Sequence, residues 1–387
     1  MKRLFLVPVI LVLLSALILG GCAAPAPAPT PTPAPLPAPT PGKTEYPTPT
    51  PAPAPVVKPA PAPAPVPAAK PIELRFAYHA TATHPIAVNA LEVWARNVEK
   101  ASGNRVKITS YPAQSLTKAG DTYEAVKSGI ADIGFAYMGL FPGRFTVTEV
   151  IMLPCLARNA TGEVASKVMM DLYYKFPAIQ AEYKDVKCLQ LYSSDPALVG
   201  TREKPVSTLE DLKGQKLRVT GTYATQYMKS VGAVPMSMSP GAMYENLQKG
   251  VIDGYCYTYE GLGARRLYEV SGYVFEANWY LSPFFTVMNP GKWNSLPPDI
   301  QKAIDSVSGA VAAPYHGKAY DEGAAVGKQK CIDAGVQINE ITDEEYARWM
   351  EAAKPVWATW LADMDKKGVP GQEILDETLR LLEMYAK

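Results

Sequence analysis

LEDLKGQKLRVTGTYATQYMKSVGAVPMSMSPGAMYENLQKGVIDGYCYTY, residues 209–259, decides the fold. A strand-like QKLRV ends at Thr220-Gly221. A helical pattern follows, then a short apolar strand, a second helical pattern, and a strand opening at Val251. The same order occurs upstream. IELRFAY, Ile72–Tyr78, alternates apolar and polar residues as a strand does. Pro85 suits a first helical turn, and Ile86, Ala90, Trp94 and Val98 then recur every four residues. Val106 and Ile108 mark a second strand ending at Tyr111-Pro112, residues 120–128 a helix, and residues 131–137 a third strand. Alternation of strand and helix predicts α/β layers with largely parallel sheets. Two such units predict two lobes across a cleft, with ligands outside the carboxyl ends of the strands.

Outside these units, residues 161–176 read as a helix and 186–192 as a strand. The C-terminal third is mostly helical. Pro297-Pro298-Asp299 opens a periodic segment reaching about Ala334, and Pro314 inside it predicts a kink, because proline lacks the helical donor and clashes one turn back. Two further helices are expected at about 342–367 and 371–385.

The 387 residues carry a formal net charge of +1, so no basic field exists to draw nucleic acid. Lys2-Arg3, an apolar run over residues 4–19 and Gly20-Gly21-Cys22 make an export signal. Small residues directly before a cysteine resemble a bacterial lipobox, which makes Cys22 the expected lipidated first residue after residues 1–21 are removed. Of 37 prolines, 20 lie in the Pro/Ala/Thr-rich stretch of residues 22–71. Such a stretch has little to bury and favours extended polyproline II, a spacer reaching roughly 150 Å at about 3.1 Å per residue. Both features place the expected folded part outside the cytoplasm, tethered to a membrane. Cys155, Cys188, Cys256 and Cys331 remain, with no C-x-x-C spacing, and read as buried free thiols.

Enzymatic signatures are missing from the sequence. It has three histidines and no G-x-S-x-G, G-x-x-x-x-G-K-[ST] or strand-borne G-x-G-x-x-G motif. His79 and His84 share one loop but lack the further ligands a metal needs, so neither metal nor cofactor is expected. Arg218 is the exception to a bland surface. It shares a strand face with Lys216, opposite Leu217 and Val219, near the carboxyl end where a cleft opens. Its planar fork of donors matches a carboxylate. A structural salt bridge accounts for it equally well, and the residues alone leave both readings open. Tyrosines collect at the same strand ends: Tyr78, Tyr137, Tyr255 and Tyr257, with Trp279 and Phe284 flanking a later strand. They suit an apolar pocket with a few polar anchors.

Pro205-Val206, Asp211-Leu212-Lys213-Gly214, Leu217-Arg218-Val219, Gly232-Ala233, Pro235, Tyr244, Leu247-Gln248 and Val251-Ile252-Asp253-Gly254 together resemble the solute-binding proteins of tripartite ATP-independent periplasmic (TRAP) transporters, DctP type. The likeness extends over nearly all of residues 72–387. It implies a periplasmic-binding-protein-like α/β fold with a hinge and a long kinked helix spanning the lobes. Lobe I is then 72–195 with about 285–325, and lobe II 196–284 with about 326–387. It also implies that Arg218 holds a ligand carboxylate, with His79 and Tyr137 at ligand positions, and that the ligand passes to TRAP permease subunits in the membrane.

Three departures bear on the ligand. A second arginine found in sugar-acid binders falls near Leu198; the frequent Gln-Glu-Asn-Pro after Asp-Gly is Tyr255-Cys256-Tyr257-Thr258; and the often acidic third-strand position is Tyr137. The expected ligand is therefore a monocarboxylate, with 2-oxo, 2-hydroxy and aromatic acids as the choices. The alternatives are a C4-dicarboxylate binder of the same family, an exported sensory receptor, and a lyase-like enzyme on the same fold.

Overall fold

The computed structural model describes residues 70–387. The signal, Cys22 and nearly all of the proline-rich stretch lie outside them. Eleven strands are described: β1 Ile72–Tyr78, β2 Val106–Tyr111, β3 Ile133–Tyr137, β4 Lys187–Ser193, β5 Ala197–Thr201, β6 Lys216–Arg218, β7 Val234–Met236, β8 Gly254–Thr258, β9 Tyr273–Glu276, β10 Pro283–Met288 and β11 Gln337–Glu340. The α-helices are α1 Glu92–Ala101, α2 Thr122–Lys127, α3 Gly162–Lys175, α4 Pro177–Ala181, α5 Thr222–Ser230, α6 Met243–Gln248, α7 Tyr259–Ala264, α8 Pro290–Ser295, α9 Pro298–Asp305, α10 Ala313–Asp333, α11 Asp343–Lys366 and α12 Gly371–Tyr385.

Two sheets build the two lobes, in the orders β2-β1-β3-β10-β4 and β11-β9-β5-β8-β6-β7. Each has a parallel core made by one of the repeated units: β1 pairs parallel with β2 and β3, and β6 with β7 and β8. The sheets are mixed rather than largely parallel, because each takes in one strand from a crossover. β10 returns from the second sheet to lie antiparallel between β3 and β4, while β5 arrives from the first to lie antiparallel between β8 and β9.

The two crossing segments hydrogen-bond to each other. Ser194 N–H donates to the Ser282 carbonyl at 3.0 Å, and Ala197 N–H to the Tyr280 carbonyl at 2.8 Å. They make a short two-stranded hinge between the sheets. The third crossing is α10, which packs on α3 at one end and α7 at the other. Glycines make both contacts close. A Cβ at Gly317 would stand 2.1 Å from the Gly162 carbonyl oxygen, and one at Gly327 2.0 Å from that of Tyr259.

The expected kink at Pro314 is not found. The periodic segment is two helices, α9 and α10, separated by turns around Gly309, whose φ is +59°. Pro314 falls in the first turn of α10, where its missing N–H costs nothing. The helical proline lies instead in α11, at Pro355. All four cysteines of residues 70–387 are free and buried. Among the described residues no helix is long and apolar enough to cross a membrane.

Candidate functional site

β6 ends in Arg218, and Gly221 then turns the chain into α5 with φ +94°. A side chain there would be strained and would press within 2.5 Å of Met152 Cε. The turn leaves Arg218 at the carboxyl end of its strand, 1 % exposed. Its Nε donates to the Met238 carbonyl at 3.3 Å, while Nη2 is buried without a hydrogen-bond partner. Its Cζ lies 5.3 Å from the centre of the Tyr257 ring. Among the described residues it makes no salt bridge. The structural-pair reading of Arg218 therefore fails, and the guanidinium lines a cavity between the sheets.

That cavity offers about 40 Å³ to the centres of water-sized molecules. The first sheet contributes His79, Tyr137 and Phe284, and the second Arg218 and Tyr257. Tyr137 and Phe284 are direct cross-strand partners. Phe284 stacks on Phe135 at 5.3 Å and on Tyr320 of α10 at 5.0 Å, an aromatic wall. Thr220 Oγ1 donates to the Tyr137 hydroxyl at 3.4 Å, joining the lobes directly. Ser194 and Ser282 bring the hinge itself into the lining.

Three of the expected residues lie elsewhere. Tyr78 is the last residue of β1, one before His79, and its hydroxyl donates to Glu92 Oε1 at 2.8 Å, outside the cavity lining. Tyr255 shares a face with Tyr257 but sits two residues back, about 7 Å from the cleft end, and its hydroxyl meets Ser271 Oγ at 2.8 Å. Trp279 is buried against Tyr280, Tyr227 and Trp349. Sequence reasoning missed Glu260, Arg265 and Tyr320, and assigned His84 no part in a site; all four line the cavity. Glu260 and Arg265 flank the glycines of YEGLGAR, a stretch given no element in the sequence, where Thr258 caps α7 by accepting from the Gly261 N–H at 3.1 Å.

Charge in the cavity is lopsided. Burial, aided by the Arg265 charge, pushes His79 and His84 down to about 3, so both imidazoles are neutral. Burial pushes Glu260 up to about 8, against the pull of Arg265. At neutral pH the two guanidiniums are thus the main fixed charges, and an anion is the complementary ligand.

The model of the bacterial extracellular solute-binding proteins, family 7 (DctP), matches residues 76–363. The chain belongs to the DctP family. A TRAP solute-binding protein from Rhodoferax ferrireducens, solved with copurified benzoate, superposes with TM-score 0.77 at 28% identity, covering 81% of this chain and 98% of that one. Another from Bordetella bronchiseptica, with bound (R)- and (S)-mandelate, gives 0.76 at 26% identity over 81% and 99%. The C4-dicarboxylate-binding periplasmic protein DctP of Rhodobacter capsulatus is 25% identical over 74% of this chain and 86% of its own. DctP-family members of this kind are two-lobed ligand receptors for TRAP transporters, and their family is periplasmic.

Proposed function

We propose that this DctP-family receptor captures a small organic monocarboxylate and delivers it to a TRAP permease without chemical turnover. The observation that carries the reading is Arg218: buried, without an acidic partner, and lining a cavity walled by aromatic rings. Leaving such a charge unpaired costs several kcal/mol, and a bidentate carboxylate removes that cost. Solved relatives carrying benzoate and mandelate support an aromatic or 2-hydroxy acid. Lobe closure follows the ligand's greater affinity for the closed form, about the crossing segments near residues 194–197 and 280–282. Lipidation at Cys22 holds the receptor at the membrane through the proline-rich spacer. A second reading, a C4-dicarboxylate, is favoured by Arg265 as another cation in the cavity, but its Nε already donates to the Tyr257 hydroxyl at 3.2 Å.

Calorimetric titration with a panel of organic acids tests the reading. Arg218→Ala is expected to lose roughly 2–5 kcal/mol of affinity, and Arg218→Lys to retain a weak remnant because a point charge lacks the fork. Undiminished affinity in Arg218→Ala would remove the core of the proposal.

A further inference from the structure

The cavity has a second polar end, built by α7 and the loop after β1. Glu260 is 3 % exposed, and its Oε1 lies 3.2 Å from His84 Nδ1. The two atoms are close but misaligned, so both are buried without a hydrogen bond. Glu260 is also held in place. Its N–H donates to Asp195 Oδ2 at 3.4 Å, and α10 passes so near that a Cβ at Gly323 would stand 2.5 Å from Glu260 Cγ. The carboxyl therefore cannot swing out to solvent to find a partner. Buried polar atoms in native proteins are almost always paired, and an orphaned pair facing a cavity calls for a ligand group.

A hydroxyl matches this pair in kind and number. It is one donor and one acceptor in a single atom group. A protonated Glu260 donates to it, and a His84 carrying its proton on Nε2 accepts from it at Nδ1; burial favours the uncharged form of each at neutral pH. An oxo group accepts only and leaves His84 unpaired. A second carboxylate likewise accepts only and gives His84 no proton.

We propose that Glu260 and His84 hold a hydroxyl of the ligand, making them specificity-determining residues and the ligand a hydroxy-substituted monocarboxylic acid. This rests on the carboxylate being anchored at Arg218.

The test uses matched pairs of acids that differ by one hydroxyl: mandelate and phenylacetate, 3-hydroxybenzoate and benzoate, lactate and propionate. Affinities are measured by calorimetry on the full-length protein in detergent. In the wild type the hydroxy member of at least one pair is expected to bind roughly ten- to hundredfold tighter, because a site with buried polar groups rejects the analogue that leaves them unpaired. In Glu260→Ala that ratio is expected to fall to about threefold or less. Should Glu260→Ala not fold, His84→Ala must lower the same ratio. Equal loss for both members of a pair would mark a merely structural role and overturn the proposal. So would a wild type indifferent to the hydroxyl, or one that binds succinate tightest. Arg218→Ala separates the two readings, since it removes both members of a pair whatever happens at Glu260. Binding of no acid in the panel overturns both.

Discussion

Glu149 has no exposed surface and sits on a 3-10 turn, Thr148–Met152, that touches α5. Its Oε1 accepts from Thr222 Oγ1 at 3.4 Å, and Oε2 has no partner. Burial pushes its carboxyl up to about 7, against the Thr222 hydrogen bonds, and nearby Glu182 adds to the rise. The unfolded chain ionises near the ordinary glutamate value while the folded chain keeps the proton. This group's contribution to stability therefore falls as pH rises from about 4.5 to 7, then levels off. Glu149→Gln is expected to remove that slope. Urea midpoints at pH 5 and pH 8 should show a variant advantage that grows with pH, on the order of 3 kcal/mol at most. An advantage equal at both pH values would mean the carboxyl does not titrate in this range. Among site residues, Arg218 was legible in the sequence because a charge inside an apolar strand stands out without any tertiary knowledge. Tyr257 and Tyr255 were not separable there. They share a face, and only the depth of β8 in its sheet decides which one reaches the cleft.

Elements were legible where local chemistry sets their ends. The expected helix at 371–385 coincides with α12, and the one at 342–367 with α11, whose cap Thr342 accepts from the Glu345 N–H at 3.1 Å. Strand β5 was not foreseen. All five of its residues are buried, so it shows no alternation, and its partners β8 and β9 lie far along the chain. Helix α7 escaped for a related reason. Its glycines argue against a helix, and the surface that holds it is supplied more than sixty residues later by α10. Its stability therefore depends on close approach. Gly327→Ala would place a methyl 2.0 Å from a backbone oxygen that cannot yield cheaply. Overpacking of this kind costs about 1–3 kcal/mol or more, a fall of about 5 °C in Tm for a domain of this size. Gly241→Ala, with nothing within 4 Å of the added Cβ, should leave Tm unchanged within about 1 °C. Equal effects in the two variants, read by calorimetry, would sink the argument.

At the scale of the whole molecule, the repeated α/β unit was readable from pattern alone, while the exchange of β5 and β10 between sheets was not, since nothing local marks a strand that joins a distant partner. The exchange binds the lobes into one cooperative body, and the four buried free cysteines report on it. Burial pushes the thiols of Cys155, Cys188 and Cys331 up to about 12 and raises Cys256 further. Thiolate is the reactive species, so iodoacetamide should find almost none among these four in the native protein at pH 8. Alkylation is expected to proceed through opened chains and to slow in proportion to any ligand's stabilisation, tenfold for each 1.4 kcal/mol. Rapid labelling of the native protein, unaffected by ligand, would contradict this. Wherever oxidants reach the protein, the four sulfurs are then protected by the folding equilibrium rather than by chemistry. Each bound solute molecule lengthens the redox lifetime of its own receptor.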